Sequence, residues 1–214
     1  MWEKYRNRLG LDKILDYSIV TYAADLKAID VLTLHENNGY DSNDSEKHYG
    51  KICDWREVDF ELLHAYDASI SFCERAAYLK NSFEHNESVA KVATNELSRL
   101  TGYCRIRRVL NQQIDIGPFC ADDPETARHL LHDCMRKFLD AHAAKIDTEH
   151  ARVFLKAPST NAHAKRIFDE LAAGKAQFCD AYVLQFTKEP IEVCQVTSVV
   201  NPFLLILVIS LKDS

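Results

Sequence analysis

Hydrophobic residues repeat with helical spacing most clearly between positions 124 and 139. Asp123 is suited to cap this helix, and Pro124 suits its first position, where the backbone N–H that proline lacks would have no partner within the helix. The apolar face, spaced at three and four residues, consists of Ala127, Leu130, Leu131, Cys134, Met135, Phe138 and Leu139. The pattern predicts a long amphipathic helix, with the Asp123 carboxylate accepting a backbone N–H from Glu125 or Thr126.

Weaker helical periodicity marks four further segments. A short helix is predicted from Trp2 to Leu9, and another from Cys73 to Phe83. Asp59 is expected to cap a helix whose apolar positions are Phe60, Leu63, Ala65, Tyr66 and Ile70. Ser159 is expected to cap the last helix, and Gly174 to end it. The face of that last helix comprises Ala164, Ile167, Phe168 and Leu171.

Short apolar runs bounded by turn-forming residues predict six strands. These strands are Tyr17–Ala23, Ser88–Thr94, Gly102–Leu110, Gln113–Phe119, Arg152–Lys156 and Phe178–Phe186. The second, third and fourth are separated only by turns at positions 95–98 and 111–112, which predicts an antiparallel meander. Positions 36–50 are polar and rich in turn formers, so we expect a linker there.

Composition and charge narrow the class of protein. The 214 residues carry a net charge of −6, which disfavours binding to nucleic acid or to an anionic membrane. The seven cysteines are odd in number and contain no Cys-x-x-Cys pair, so we expect reduced thiols and no metal site. The N-terminal residues lack the apolar core of a signal peptide, and we therefore expect a cytoplasmic or nuclear protein.

Four sequence segments carry a more specific resemblance. They are Asp54-Trp55-Arg56-Glu57-Val58-Asp59, Ile116-Gly117-Pro118-Phe119-Cys120-Ala121-Asp122-Asp123-Pro124, Phe186-Thr187-Lys188 and Val196-Thr197-Ser198. Together with the order of elements, they resemble the GNAT acyltransferase superfamily, and within it the C-terminal domain of the YitH/HolE-type acetyltransferases that are expanded in nematodes. The resemblance implies an α/β fold: a GNAT-like mixed sheet with an antiparallel meander and flanking helices. It also implies acyl transfer from acetyl-coenzyme A to a small amine.

The same resemblance implies a division of the chain. Residues 1–35 would be the remnant of a first GNAT-like lobe, 36–50 a linker, 51–200 the GNAT-like domain and 201–214 an apolar tail.

The resemblance further implies a site for acetyl-coenzyme A. Ile116 and Phe119 would lie along its pantetheine arm beside a backbone bulge near Gly117, and Ala127 would lie in its pyrophosphate loop. We expect the sheet to open between the strand that ends at Phe119 and the strand Arg152–Lys156.

Two departures from the family pattern affect the chemistry. The phosphate loop of the family, Gln/Arg-x-x-Gly-x-Gly/Ala, aligns with Asp122, Glu125 and Ala127, and only Ala127 fits. The tyrosine of Asn-x-x-Ala-x-x-x-Tyr, which would protonate the departing thiolate, is Phe168 here. These residues predict a weak or inactive acyltransferase with no assigned catalytic residue. The alternative is a noncatalytic binding or interaction module derived from a GNAT lobe.

A basic cluster in the second strand of the meander, Arg105, Arg107 and Arg108, leaves two interpretations open. Alternation places Arg105 and Arg107 on the face opposite Cys104 and Ile106. The arginines could hold an acidic substrate, a phosphate or a partner's carboxylates. The interpretation we favour is an exposed strand face paired with acidic residues of a neighbouring strand.

The run Phe203–Ile209 is apolar at every position, yet it is far shorter than the ~20 residues of a membrane-spanning helix. The expected final strand precedes it, so we predict a poorly covered tail that could bind a protein partner. Deleting residues 202–214 should raise solubility and lower the melting temperature by no more than a few degrees. Loss of folding on deletion would show instead that the tail belongs to the core.

Overall fold

A computed structural model describes residues 6, 8, 10–32, 50–71 and 74–186 of the chain. Its strands are β1 (Lys13–Asp25), β2 (Ile52–Asp54), β3 (Ser88–Thr94), β4 (Leu100–Arg108), β5 (Gln113–Ala121), β6 (Arg152–Pro158) and β7 (Gln177–Phe186). Its helices are α1 (Phe60–Ser71), α2 (Ala76–Glu84), α3 (Pro124–His142) and α4 (Ala162–Leu171). The apolar tail and most of the predicted helix at positions 2–9 lie outside the described residues.

The seven strands form one mixed sheet in the order β2-β3-β4-β5-β6-β1-β7. Strands β3, β4 and β5 are the predicted antiparallel meander. Between them, Asn95 closes the first turn through its side-chain oxygen, which accepts the N–H groups of Leu97 and Arg99. Strands β5 and β6 pair in parallel, and all other neighbours are antiparallel. The predicted α/β fold class is confirmed.

Strand β1 lies inside this sheet, hydrogen-bonded to β6 on one side and to β7 on the other. Its register runs from Ile19 opposite Pro158 to Asp25 opposite Arg152. The first strand of the chain therefore completes the sheet formed by the later residues. The assignment of residues 1–35 to the remnant of another lobe stays a prediction.

Two hydrophobic clusters cover the two faces of the sheet. On one face, α3 and α4 pack against the side chains of β4, β5 and β6, with Ile106, Phe119 and Phe138 fully buried. On the other face, α1 and α2 pack around Trp55, Tyr103 and Phe83. Cys104 and Ile106 face α3, whereas Tyr103 faces α1, which confirms the predicted alternation of β4.

The beginning of α4 differs from the sequence prediction. The cap is Asn161, whose side-chain oxygen accepts the N–H of Ala164 at 2.9 Å. Ser159 is not the cap: its hydroxyl accepts the N–H of Ser18 instead, and thus ties the end of β6 to β1. Both residue types cap helices well, and the proximity of β1 decides between them. Gly174 follows the helix with a φ of +74° and donates its N–H to Asp169, as predicted.

A buried charged network fastens α1 to the sheet. The carboxylate of Asp67 on α1, which is fully buried, accepts two bonds from Arg75, at 2.8 Å from Nε and 2.6 Å from Nη2. It also accepts the hydroxyl of Tyr103 on β4 at 2.5 Å. Burial raises the pKa of Tyr103, so this phenol stays protonated and donates. The loop before α2, helix α1 and the central strand are thereby joined at one carboxylate.

Replacing Arg75 with Met should lower the free energy of unfolding by about 3–5 kcal/mol, because it leaves the Asp67 carboxylate buried without its counter-ion. Urea denaturation at neutral pH measures the loss. The double variant Asp67→Asn/Arg75→Met should recover part of it, since the uncompensated charge is gone. Arg56→Met, which breaks an exposed ion pair with Asp54, is the matched control and should cost much less. An equal loss in the two single variants would contradict this account.

Candidate functional site

The sheet opens between β5 and β6, as the sequence analysis predicted. Their parallel pairing covers only four residue pairs and ends at Ile116 opposite Leu155. Strand β5 continues to Ala121 against β4, and β6 continues to Pro158 against β1. Beyond Ile116, the two strands no longer pair with each other, and we call this opening of the sheet the cleft.

A bulge on β5 lies at the point where the cleft begins. Cys104 pairs with Phe119 and Ile106 pairs with Ile116, so Gly117 and Pro118 together oppose the single residue Arg105. Gly117 has a φ of +145°, which side-chain-bearing residues rarely adopt, and a Cβ there would meet no heavy atom within 4 Å. The predicted bulge near Gly117 is confirmed, and open space lies beside it.

Helix α3 begins beside this cleft, with its first N–H groups bonded inside the chain. Oδ1 of Asp123 accepts the N–H of Glu125 at 2.9 Å and that of Thr126 at 2.8 Å, which confirms the predicted cap. Oδ2 accepts the Thr126 hydroxyl at 2.6 Å, and the carbonyl of Asp123 accepts the N–H of Ala127. The donors that a helix N-terminus offers to an anion are therefore already bonded to Asp123.

The comparison with protein families identifies this arrangement. A family model described as an acetyltransferase (GNAT) domain matches residues 63–186, more than half of the chain. The chain belongs to the GNAT acetyltransferase family. No curated protein matches it significantly. Nothing in these comparisons tests the resemblance to YitH/HolE-type enzymes, which stays a prediction.

One solved structure supports the fold, and two further structures resemble the chain more weakly. A tandem GNAT protein from the clavulanic acid biosynthesis pathway superimposes with a TM-score of 0.53 at 14% identity, covering 85% of this chain and 56% of its own. A putative GNAT-family acetyltransferase from Novosphingobium aromaticivorans has a TM-score of 0.45 at 13% identity, with 80% and 64% covered. A functionally unknown protein from Staphylococcus epidermidis has a TM-score of 0.45 at 16% identity, with 84% and 63% covered. This chain thus spans less than two thirds of each.

The three residues predicted to contact the cofactor have buried side chains. Ile116, Phe119 and Ala127 are all part of the core beneath α3. Any contact of Ile116 or Phe119 with a pantetheine arm would therefore come from the backbone of β5 along the cleft. Their role as cofactor-binding residues stays a prediction.

The turn that the resemblance aligns with the family's pyrophosphate loop differs from it in its contacts as well as in its charge. Asp122 accepts the hydroxyl of Tyr66 from α1 at 2.7 Å, so this helix contacts the loop. Burial raises the pKa of Asp122, against the effect of the Tyr66 hydrogen bond. Oε1 of Glu125 lies 3.5 Å from Nε2 of His129, and its Oε2 lies 4.0 Å from Nη1 of Arg128. Carboxylates and their partners occupy the place where the family presents bare N–H groups, and these residues do not fit a pyrophosphate.

Phe168, at the position of the family's tyrosine, is a core residue. Its side chain is 0% exposed, and its ring centroid lies 6.4 Å from that of Tyr22 on β1. A phenyl ring carries no acidic proton, and this one has no contact with solvent. The correspondence of Phe168 to the family's tyrosine stays a prediction, and the structure adds that this position is packed in the core.

Cys120 is not activated as a nucleophile, and the described residues contain no group of side chains suited to a metal ion. Burial raises the pKa of Cys120 to about 12, so the thiol stays protonated at neutral pH and is a poor nucleophile. Among the residues that the structure describes, no three His, Cys, Asp or Glu side chains are grouped to bind a metal ion. No helix in this part of the chain is long and apolar enough to cross a membrane.

Two of the three arginines in the β4 cluster are paired as expected, but the burial of Arg105 was not expected. Arg105 bonds to Asp115 at 3.1 Å and Arg108 to Glu87 at 2.9 Å, which confirms pairing with neighbouring carboxylates. The expected exposed face is wrong for Arg105, which is only 4% exposed. The reason is that α1 and α2 cover this face of the sheet.

The raised pKa of Asp122 generates a prediction for stability against pH. The folded state holds this proton to higher pH than the unfolded chain, so the carboxyl makes the fold less stable as the pH rises above about 4. Asp122→Asn keeps an acceptor for Tyr66 but carries no charge. Its stability relative to the native chain should therefore rise with pH in urea denaturation series between about pH 3 and 8.

The control for this experiment is Asp140→Asn, which removes an exposed carboxylate from α3, the helix that follows Asp122. It should show a much weaker dependence on pH. A native chain that gains stability over Asp122→Asn as the pH rises would show that the Tyr66 hydrogen bond outweighs burial.

Proposed function

We propose that this chain is a catalytically degenerate member of the acetyl-coenzyme A-dependent N-acyltransferases, with weak or absent transfer to an amine. The observation that carries the proposal is the bonding of Asp123 to the N–H groups of Glu125 and Thr126, at the helix end where the family binds pyrophosphate. Phe168 supports the proposal as well, because a buried phenyl ring cannot protonate the departing thiolate as the family's tyrosine would.

The electrostatic balance supports the same conclusion. A helix N-terminus favours a bound anion by ~0.3–1 kcal/mol. One carboxylate at ~6 Å repels a singly charged phosphate by about 3 kcal/mol at an effective dielectric constant near 20. Asp122, Asp123 and Glu125 all lie at this end of α3, and only part of their charge is offset by Arg128. Repulsion therefore outweighs the attraction of the helix dipole.

The second candidate is a noncatalytic binding module that keeps the cleft of the fold. It is favoured by the buried arginine beside the bulge, since Arg105 has donor groups that no residue in the described part of the chain satisfies. For the chain as a whole we further propose a YitH/HolE-type relationship, a cytoplasmic or nuclear location, a small amine as the ancestral acceptor and a protein partner bound through residues 203–209.

A thermal-shift titration with acetyl-coenzyme A tests the proposal. A ligand at 100 times its dissociation constant stabilises a protein by ~2.7 kcal/mol, and the native chain should show no such shift at millimolar cofactor. The triple variant Asp122→Asn/Asp123→Gly/Glu125→Gln frees the N–H groups and removes three negative charges. This variant should gain measurable binding of acetyl-coenzyme A. In a separate assay with a panel of amines, release of the coenzyme A thiol by the native chain should remain near background.

The matched control removes three exposed carboxylates at or just beyond the other end of α3: Asp140→Asn/Asp147→Asn/Glu149→Gln. It changes the net charge equally and should gain no binding. Saturable binding of acetyl-coenzyme A to the native chain, with turnover, would overturn the proposal. Absence of binding in the triple variant would show that the acidic residues are not what prevents acetyl-coenzyme A from binding.

A further inference from the structure

Arg105 is a buried cation whose hydrogen-bonding capacity is mostly unused. Its Nη2 donates to Oδ2 of Asp115 at 3.1 Å. Its Nε and Nη1 are buried and have no hydrogen-bond partner among the described residues. Leaving buried donors of a charged group unsatisfied costs stability, and folded proteins rarely do so without a reason.

Arg107 lies two positions along the same strand, on the same face of the sheet. Its Nε is also buried and lacks a hydrogen-bond partner within the described part of the chain. Asp115 is the residue opposite Arg107 in the ladder, and its carboxylate is bonded to Arg105. Arg107 makes no ion pair with any of the described residues, so its positive charge has no counter-ion among them.

The direction of the pKa shift of Arg105 is also that of a cation whose charge is only partly compensated. Burial lowers the pKa of the Arg105 guanidinium, and the charge of Arg107 acts in the same direction. The carboxylate of Asp115 offsets only part of these effects. A second anion beside the two arginines would relieve both the repulsion between them and the unsatisfied donors.

The space for such an anion lies at the bulge. Gly117 and Pro118 oppose Arg105 on β5, and the position where a Cβ of Gly117 would be is open. Gly117, Asp115 and Arg107 are each partly exposed, so a small molecule can approach from their side. The pairing of β5 with β6 ends one residue before Gly117, which places the arginines where the cleft begins.

We propose that Arg105 and Arg107 bind the carboxylate of a small molecule at this opening of the sheet. A carboxylate is preferred to a phosphate because one uncompensated positive charge matches a monoanion. Its two oxygens also match the planar N–H donors of a guanidinium. The site lies on the α1 and α2 side of β4, away from the N-terminal turn of α3, and its occupation does not depend on acyl transfer.

Acetate is the probe for this site, and the Nε–H groups of the arginines are the reporters. In ¹⁵N-labelled full-length protein, titration with sodium acetate should shift the side-chain Nε–H resonances of Arg105 and Arg107 in a saturable manner. Sodium chloride at equal ionic strength should not reproduce these shifts. Sodium phosphate at equal ionic strength should bind more weakly than acetate.

Variants assign the binding to these residues. Arg107→Gln should weaken acetate binding about tenfold or more, through loss of a charge-assisted contact, while the partly exposed position leaves the fold intact. Arg105→Gln should abolish acetate binding. If that variant does not fold, the acetate affinity of Arg107→Gln decides whether the arginines form the site. Arg136→Gln removes an exposed charge from α3 and should bind acetate like the native chain.

Three results would overturn the proposal. They are the absence of a saturable acetate shift, an equal response to chloride, and unchanged affinity in Arg107→Gln. Tighter binding of phosphate than of acetate would replace the carboxylate by a phosphate ligand. None of these results depends on acetyl-coenzyme A, so the outcome is separate from that of the proposed function.

Discussion

The end of the β5–β6 pairing is the constraint from which the site follows. Four parallel pairs hold the two halves of the sheet together, and the bulge at Gly117 and Pro118 begins directly after the last of them. Because a bulge bends its strand and increases local twist, β5 leaves the plane that β6 shares with β1. The cleft, the start of α3 beside it and the arginines opposite the bulge all take their positions from this one interruption.

Under the proposed function, the acidic residues at the start of α3 stabilise the fold at the place where the GNAT family binds pyrophosphate. Asp123 caps the helix with one carboxylate oxygen bonded to two backbone N–H groups, an arrangement typically worth ~1 kcal/mol of stability. A pyrophosphate needs the same N–H groups free. Asp122, held by Tyr66, ties the neighbouring turn to α1. Each contact strengthens the native structure, and in the proposed function the same contacts oppose the binding of coenzyme A.

The face of the sheet beneath α1 and α2 contains two buried charged groups of different character. Around Asp67, every charge has its partner, because Arg75 and Tyr103 both bond to the same carboxylate. Arg105 has one carboxylate partner, Asp115, and two of its buried nitrogens have no hydrogen-bond partner among the described residues. The first arrangement is typical of a structural network, whereas the unsatisfied donors of the second are the basis of the proposed carboxylate site. The two lie on the same face of the central strand β4, and the structural network holds α1 in place over this face.

The sequence by itself determined what depends on neighbouring residues. The cap and periodicity of α3 and the meander with its short turns depend on residues that lie near each other in the chain, and local hydrogen bonding decides them. The bulge near Gly117 and the departure at Phe168 were expected only from the resemblance to a family. Only the tertiary structure placed β1 between β6 and β7, chose Asn161 over Ser159 as a cap, and brought Tyr66 to Asp122 across 56 positions. It also buried Arg105, since no alternation pattern shows which helices will cover a strand face. Contacts between residues distant in the chain depend on how the elements pack together, and local sequence carries no record of that packing.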